Sequence, residues 1–129
     1  MPAMFERFES ECTARTPSDP EASAQRELFM SRAMAALEAR DLGPALELAE
    51  DAKKGEKDVL LGHLGALAAA FGAIARSTVA DQDADQYRTA GAAAARHALA
   101  IAAIEDIEAN ASTQLAVEAM LLKMRARSP

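Results

Sequence analysis

Tryptophan is absent from this 129-residue chain, aromatic residues make up 4% of it, and cysteine occurs once, at Cys12. A single thiol forms no intramolecular disulfide, and nothing in cysteine usage points to an oxidising compartment. Five prolines and six glycines are too few for a low-complexity chain. Positive charge is scarce as well: 14 Lys and Arg stand against 20 Asp and Glu, giving a net charge of −6 and a pI of about 4.9. That balance argues against a nucleic-acid partner, because phosphate contacts need a basic face. Lys123, Arg125 and Arg127 form one local basic cluster, read as cations completing the last turn of a helix, where the macrodipole is negative.

Long apolar runs are missing too. Met1 to Ser10 carries Glu6, Arg7 and Glu9, so it lacks the pattern of a signal peptide. The stretch Val59 to Ala75 is interrupted by His63 and diluted by glycine and alanine. It reads as too short and too weakly apolar for a bilayer span of about 20 residues. The expectation is a cytoplasmic protein with no membrane partner.

What the chain does have is alanine at helical spacing. Half of it is hydrophobic with hardly any aromatics, so alanine, the best helix former, supplies much of the total. With 26% charged residues and a mean hydropathy of −0.08, the composition is that of a globular helical protein. A chain of this length fits a single domain, residues 1–129, and buries roughly two thirds of its unfolded surface.

Helix signals follow one another along the chain. Met4, Phe5, Phe8 and Cys12 predict a short N-terminal helix within an arm over residues 1–18 that lays one apolar face on the body, a bundle over 19–127. Asp19-Pro20-Glu21 starts a first long helix running to about Arg40, with an inward stripe of Leu28, Phe29, Ala33, Ala36 and Leu37. Asp41 is placed to cap a shorter helix with Pro44 in its first turn and Leu46 and Leu48 inward, stopped by Lys53-Lys54-Gly55. Asp58 is placed to cap a third, in which Leu60, Leu64, Leu67, Phe71 and Ile74 form the cleanest stripe. Gly62, Gly65, Ala69, Gly72 and Ala73 crowd another side of it and predict close approach of a neighbouring backbone.

A polar turn over residues 80–85 leads into a long fourth helix from about Ala84 to Glu108, with Tyr87 near its start and Ala90, Ala94, Ile101 and Ile104 on one line. Asn110-Ala111-Ser112 breaks it, and Leu115, Met120, Leu121 and Met124 define a last helix. No stretch alternates as a strand does. The predicted fold class is therefore all-α, an antiparallel bundle of four to five main helices with a short N-terminal helix.

Few residues carry recognisable chemistry. His63 and His97 are the side chains that titrate near neutral pH unaided. If the third and fourth helices fold back near residues 81 and 82, the two imidazoles come to nearly one height. With a carboxylate such as Glu38, Glu47 or Glu105 they would then form a transition-metal or acid–base site. No Glu-x-x-His motif accompanies them.

Residues 61–66 and 69–73, Leu-Gly-His-Leu-Gly-Ala and Ala-Ala-Phe-Gly-Ala, loosely resemble the phosphoacceptor helix of histidine phosphotransfer domains, which are also small acidic bundles. That family places Lys three and Gly four positions after the histidine; Ala66 and Leu67 stand there, which makes this at most a degenerate version. Asp81, Asp83 and Asp85 copy the first alternate ligands of an EF-hand loop, but Gln86 and Ala92 replace its glycine and its closing glutamate, so they read as caps and turn residues. Residues 39–45 with Ala49 and Ala52 resemble the hinge of a tetratricopeptide repeat. The unit does not recur 34 residues on, where Val79 stands, so one helical hairpin is all that follows.

No nucleophile elbow, phosphate-cradling glycine loop or zinc spacing occurs. The expectation is a bacterial-type helical domain that works by association with a protein partner, with copies of itself, or both, without evident catalytic machinery and with no predicted cofactor. The alternative is a metal- or small-ligand-binding bundle using His63 and His97.

Overall fold

A computed structural model of the chain describes residues 20–79 and 84–126. Among them are five α-helices and no strand: α1 (Pro20–Glu38), α2 (Gly43–Lys54), α3 (Lys57–Val79), α4 (Ala84–Glu108) and α5 (Thr113–Ala126). The N-terminal stripe at Met4, Phe5, Phe8 and Cys12, the Asp19 cap, Asp81, Asp83 and Arg127 lie outside the described residues.

The helices pack as a bundle around one apolar core. The most extensive interface is between α3 and α4; α2 packs on α5, α5 also on α4, and α1 touches α2, α3 and α5. Leu64 and Leu67 of α3, Ile107 of α4, and Val117, Leu121 and Met124 of α5 are fully buried, and no polar or charged residue is buried among the described residues. Fully burying one such aliphatic side chain contributes about 1.5–3 kcal/mol, and this is where the cohesion lies.

Each helix boundary has a local cause. Pro20 suits the first turn of α1, where its fixed φ is helical and its missing N–H costs nothing. Phe29, Ala33, Ala36 and Leu37 face inward, whereas Leu28 turns out and is 60% exposed. Asp41 does not sit at the N-cap of α2: that position is Leu42, which makes no side-chain cap bond. Instead Asp41 Oδ1 accepts the Gly43 amide at 3.0 Å, a local turn that aims the chain into Pro44 and α2. On that helix Ala45, Leu48 and Ala49 are buried and Leu46 is exposed.

Gly55 ends α2 in extended backbone, φ −89° and ψ 176°, so the stop does not use a left-handed cap. α3 begins at Lys57, which leaves Asp58 within the first turn, where its charge still opposes the positive helix end. Leu60, Leu64, Leu67 and Phe71 are buried as their spacing predicts, while Ile74 is exposed.

The stop of α4 is the most fully formed. Asn110 takes φ 70°, its amide donates to the Ile107 carbonyl and the Ala111 amide to the Asp106 carbonyl, both at 2.9 Å. These are the two bonds of a Schellman motif, and asparagine tolerates the left-handed conformation they need. Ser112 then caps α5, its Oγ accepting the Leu115 amide at 3.3 Å.

α4 meets the core with Ala90, Ala93, Ala100, Ala103 and Ile107. Of the expected line only Ala90 is buried; Ala94 is exposed, Ile101 is 38% exposed and Ile104 half-buried. A helix that is alanine on nearly every side has little apolar asymmetry to reveal its inner face.

Among the described residues of the C-terminal basic cluster, Arg125 has a defined structural task. Its Nη1 donates to the carbonyls of Ala36 at 2.6 Å and Ala39 at 2.8 Å. The cation does complete the negative end of a helix, but of α1 and not of its own α5.

Candidate functional site

The two histidines take different neighbours. His97 of α4 reaches α3, where its Nδ1 lies 2.7 Å from the Ala68 carbonyl. A carbonyl oxygen only accepts, so Nδ1 carries the proton and Nε2 keeps the lone pair in the neutral ring. Gly72 makes room: a Cβ there would lie 3.3 Å from Nδ1 and 3.3 Å from Arg76 Nη1. Of the three glycines expected to admit a neighbouring backbone, this one has side chain against it, that of His97 and of Arg76. A Cβ at Gly62 or Gly65 would meet nothing within 4 Å.

His63 points to α1 instead, its ring stacked on Phe29 with centroids 5.1 Å apart and 24° between planes. Burial pushes its pKa below the ordinary imidazole value, and Arg26 lowers it further. Glu38, Glu47 and Glu105, the carboxylates considered as co-ligands, are all exposed. Among the described residues no group of three or more His, Cys, Asp or Glu is gathered closely enough to hold a metal ion.

Sequence spacing missed Arg96, next to His97. Its guanidinium lies 5.6 Å from the centre of the Phe71 ring, a cation–π contact, and its Nε is buried without a hydrogen-bond partner among the described residues. Burial lowers its pKa while Glu38 opposes that shift. No motif announces such a pairing; it depends on how α3 and α4 meet.

A cleft of about 330 Å³ opens where α1, α2 and the start of α3 meet. Leu28, Phe29, Leu48, Val59 and Leu60 give it an apolar lining, with His63 at one wall and an Arg32–Asp51 ion pair of 2.8 Å at the rim. Both partners of that pair are substantially exposed, which makes it a weak clasp. A neighbouring hollow of about 270 Å³ continues along α1 past Ala22, Arg26, Asp58 and Gly62. The cleft is large enough for a small ligand or a few side chains, but it lacks converging polar groups that would define a reaction.

Among the described residues the outer face of α3 is an uncovered apolar surface. Val59, Gly62, Ala66, Ala69 and Ala73 recur at steps of three and four on the side opposite Leu60, Leu64, Leu67 and Phe71. Val59 is 44% exposed, Gly62, Ala69 and Ala73 are exposed, and Ala66 is half-buried. The helix is also longer than the stretch Val59 to Ala75. By length and composition alone Lys57–Ser77, 21 residues containing an 18-residue window with a mean hydropathy of 1.6, could cross a membrane, yet 33% of that window is buried in the fold. Comparison with known proteins finds no family, no curated protein and no solved structure that matches this chain.

Proposed function

We propose that this chain works by association, as a small helical domain that binds a protein partner or further copies of itself through the outer face of α3. The observation that carries this reading is that, among the described residues, nothing covers the side of the most apolar helix opposite the core. A contiguous exposed apolar surface costs solubility unless something covers it. Gly62, Ala66, Ala69 and Ala73 project little, so a helix laid on them can approach at the close end of the usual ~8–10 Å axis separation.

The arrangement of the hairpin supports the same reading. Lys57 Nζ donates to Asn110 Oδ1 at 3.3 Å, His97 meets Ala68, and Arg96 covers Phe71. Positions rise along α3 as their partners fall along α4, as in an antiparallel pair. Such a pair gives α3 one flank covered by α4 and, among the described residues, leaves its outer face free.

The test is sedimentation of the full chain over a wide concentration range, beside capture of partners on immobilised protein, each repeated with Ala69→Glu. Association or capture that is lost on the substitution, with the far-ultraviolet spectrum unchanged, is the expected result. A strict monomer that captures nothing beyond what the Ala69→Glu chain captures overturns the proposal.

A further inference from the structure

The outer face of α3 also carries opposite charges at its two ends. Asp58 stands in the first turn and Arg76 in the last, and both are exposed. Among the described residues neither has an ion-pair or hydrogen-bond partner. Between them Val59, Gly62, Ala66, Ala69 and Ala73 keep a three–four spacing without a charged or bulky interruption. From Val59 to Arg76 the seam runs about 26 Å at 1.5 Å per residue.

Resting on the association reading above, we infer that the occupant of this face is α3 of a second copy of the chain, antiparallel about a two-fold axis beside Leu67 and Ala68. In that register Gly62 lies opposite Ala73 of the partner subunit and Ala66 opposite the partner subunit's Ala69, and the same contacts repeat on the far side of the axis. Each end brings Asp58 within reach of Arg76 of the partner subunit. The charges choose the direction. A parallel pair would set aspartate on aspartate and arginine on arginine, whereas the antiparallel pair makes two ion pairs.

The shape of the surface agrees. Beside Ala66 a hollow lined by Arg26, Glu27, Met30 and Ser31 runs between α1 and α3 and flanks the middle of the seam. No bulky side chain projects from the seam between Val59 and Arg76. A seam of glycine and alanine is complementary to a copy of itself, and the end charges set its register.

Sedimentation equilibrium of the full chain tests this with four variants, Ala69→Glu, Asp58→Arg, Arg76→Asp and the double reversal Asp58→Arg/Arg76→Asp. The wild type sediments as a dimer. Ala69→Glu gives a monomer with an unchanged far-ultraviolet spectrum. Either single reversal weakens dimerisation about tenfold, since two pairs are lost and like charges replace them, and the double reversal restores it. Should Ala69→Glu fail to fold, Ala73→Lys replaces it.

A dimer indifferent to Ala69→Glu overturns the α3 seam. A dimer that the double reversal does not restore overturns the antiparallel register. A monomeric wild type whose α3-dependent capture retains a different protein overturns the second copy while leaving the association reading intact. A monomer with no such capture sinks both, and flotation of the chain with anionic or neutral phospholipid vesicles in place of dimerisation overturns the protein partner altogether.

Discussion

Replacing Arg125 by alanine tests whether the last helix fastens the first. The guanidinium donates two short bonds, 2.6 Å and 2.8 Å, to the carbonyls of Ala36, in the last turn of α1, and Ala39, just past its end. A hydrogen bond involving a charged group contributes about 1.5–3 kcal/mol net, and water regains part of the freed carbonyls, so the pair together should contribute about 3 kcal/mol. Over a chain of 129 residues, an unfolding entropy of about 2.1 cal/mol/K per residue turns that loss into a fall of about 11 °C in Tm. Urea unfolding followed at 222 nm measures it directly, provided the transition is two-state. Arg125→Lys should retain about half, because the ammonium ends one bond short of the Nη1 that reaches both oxygens. Lys123→Ala, on the exposed side of the same turn, should cost under about 0.5 kcal/mol. An Arg125→Ala chain within 0.5 kcal/mol of the wild type, or a Lys123→Ala chain equally damaged, would refute the argument.

Three further outcomes are expected. Gly65→Ala and Gly91→Ala, where an added Cβ meets nothing within 4 Å, should each stabilise by about 0.5–1 kcal/mol in thermal melts, while Gly72→Ala should not, because its Cβ presses on His97 and threatens the bond to Ala68. His63 should make the fold acid-sensitive. Its folded pKa lies below the unfolded value near 6.5, so the unfolded chain takes up the proton first. Stability is then full above about pH 6.5 and declines as pH falls from there through the folded value. The fall measured between pH 7.5 and 5.5 should be smaller in His63→Phe, and an identical fall would contradict it. Asn110→Ala should cost about 1 kcal/mol in urea unfolding and Asn110→Gly nothing or less, since the left-handed φ of 70° penalises a Cβ without a compensating amide.

The helix order was legible because the punctuation is chemical. Pro20, Gly55, Asn110 and Ser112 mark their boundaries through φ, hydrogen-bonding or capping preferences that operate within a few residues. The inner face of α3 was legible for a similar reason, since leucine and phenylalanine contrast with the glycine and alanine around them. α4 lacks that contrast, and the two larger residues placed inward, Ile101 and Ile104, turned out to be exposed and half-buried. The contacts of the histidines were not legible at all. His97 binds a main-chain oxygen, and every residue carries one, so no side-chain pattern marks Ala68 as the acceptor. Arg125 shows the same limit: its charge suits a helix end, and only the packing decides which helix.

One asymmetry in α1 has a thermodynamic consequence. From Pro20 through Leu28 no residue is buried, and the helix joins the core only at Phe29. Unwinding those leading turns therefore sacrifices local hydrogen bonds and almost no apolar contact, whereas unwinding from Phe29 onward means opening the protein as a whole. Amide hydrogens before Phe29 should exchange with deuterium through small excursions that denaturant barely accelerates, and those after it through global unfolding, so a single helix straddles two classes of protection.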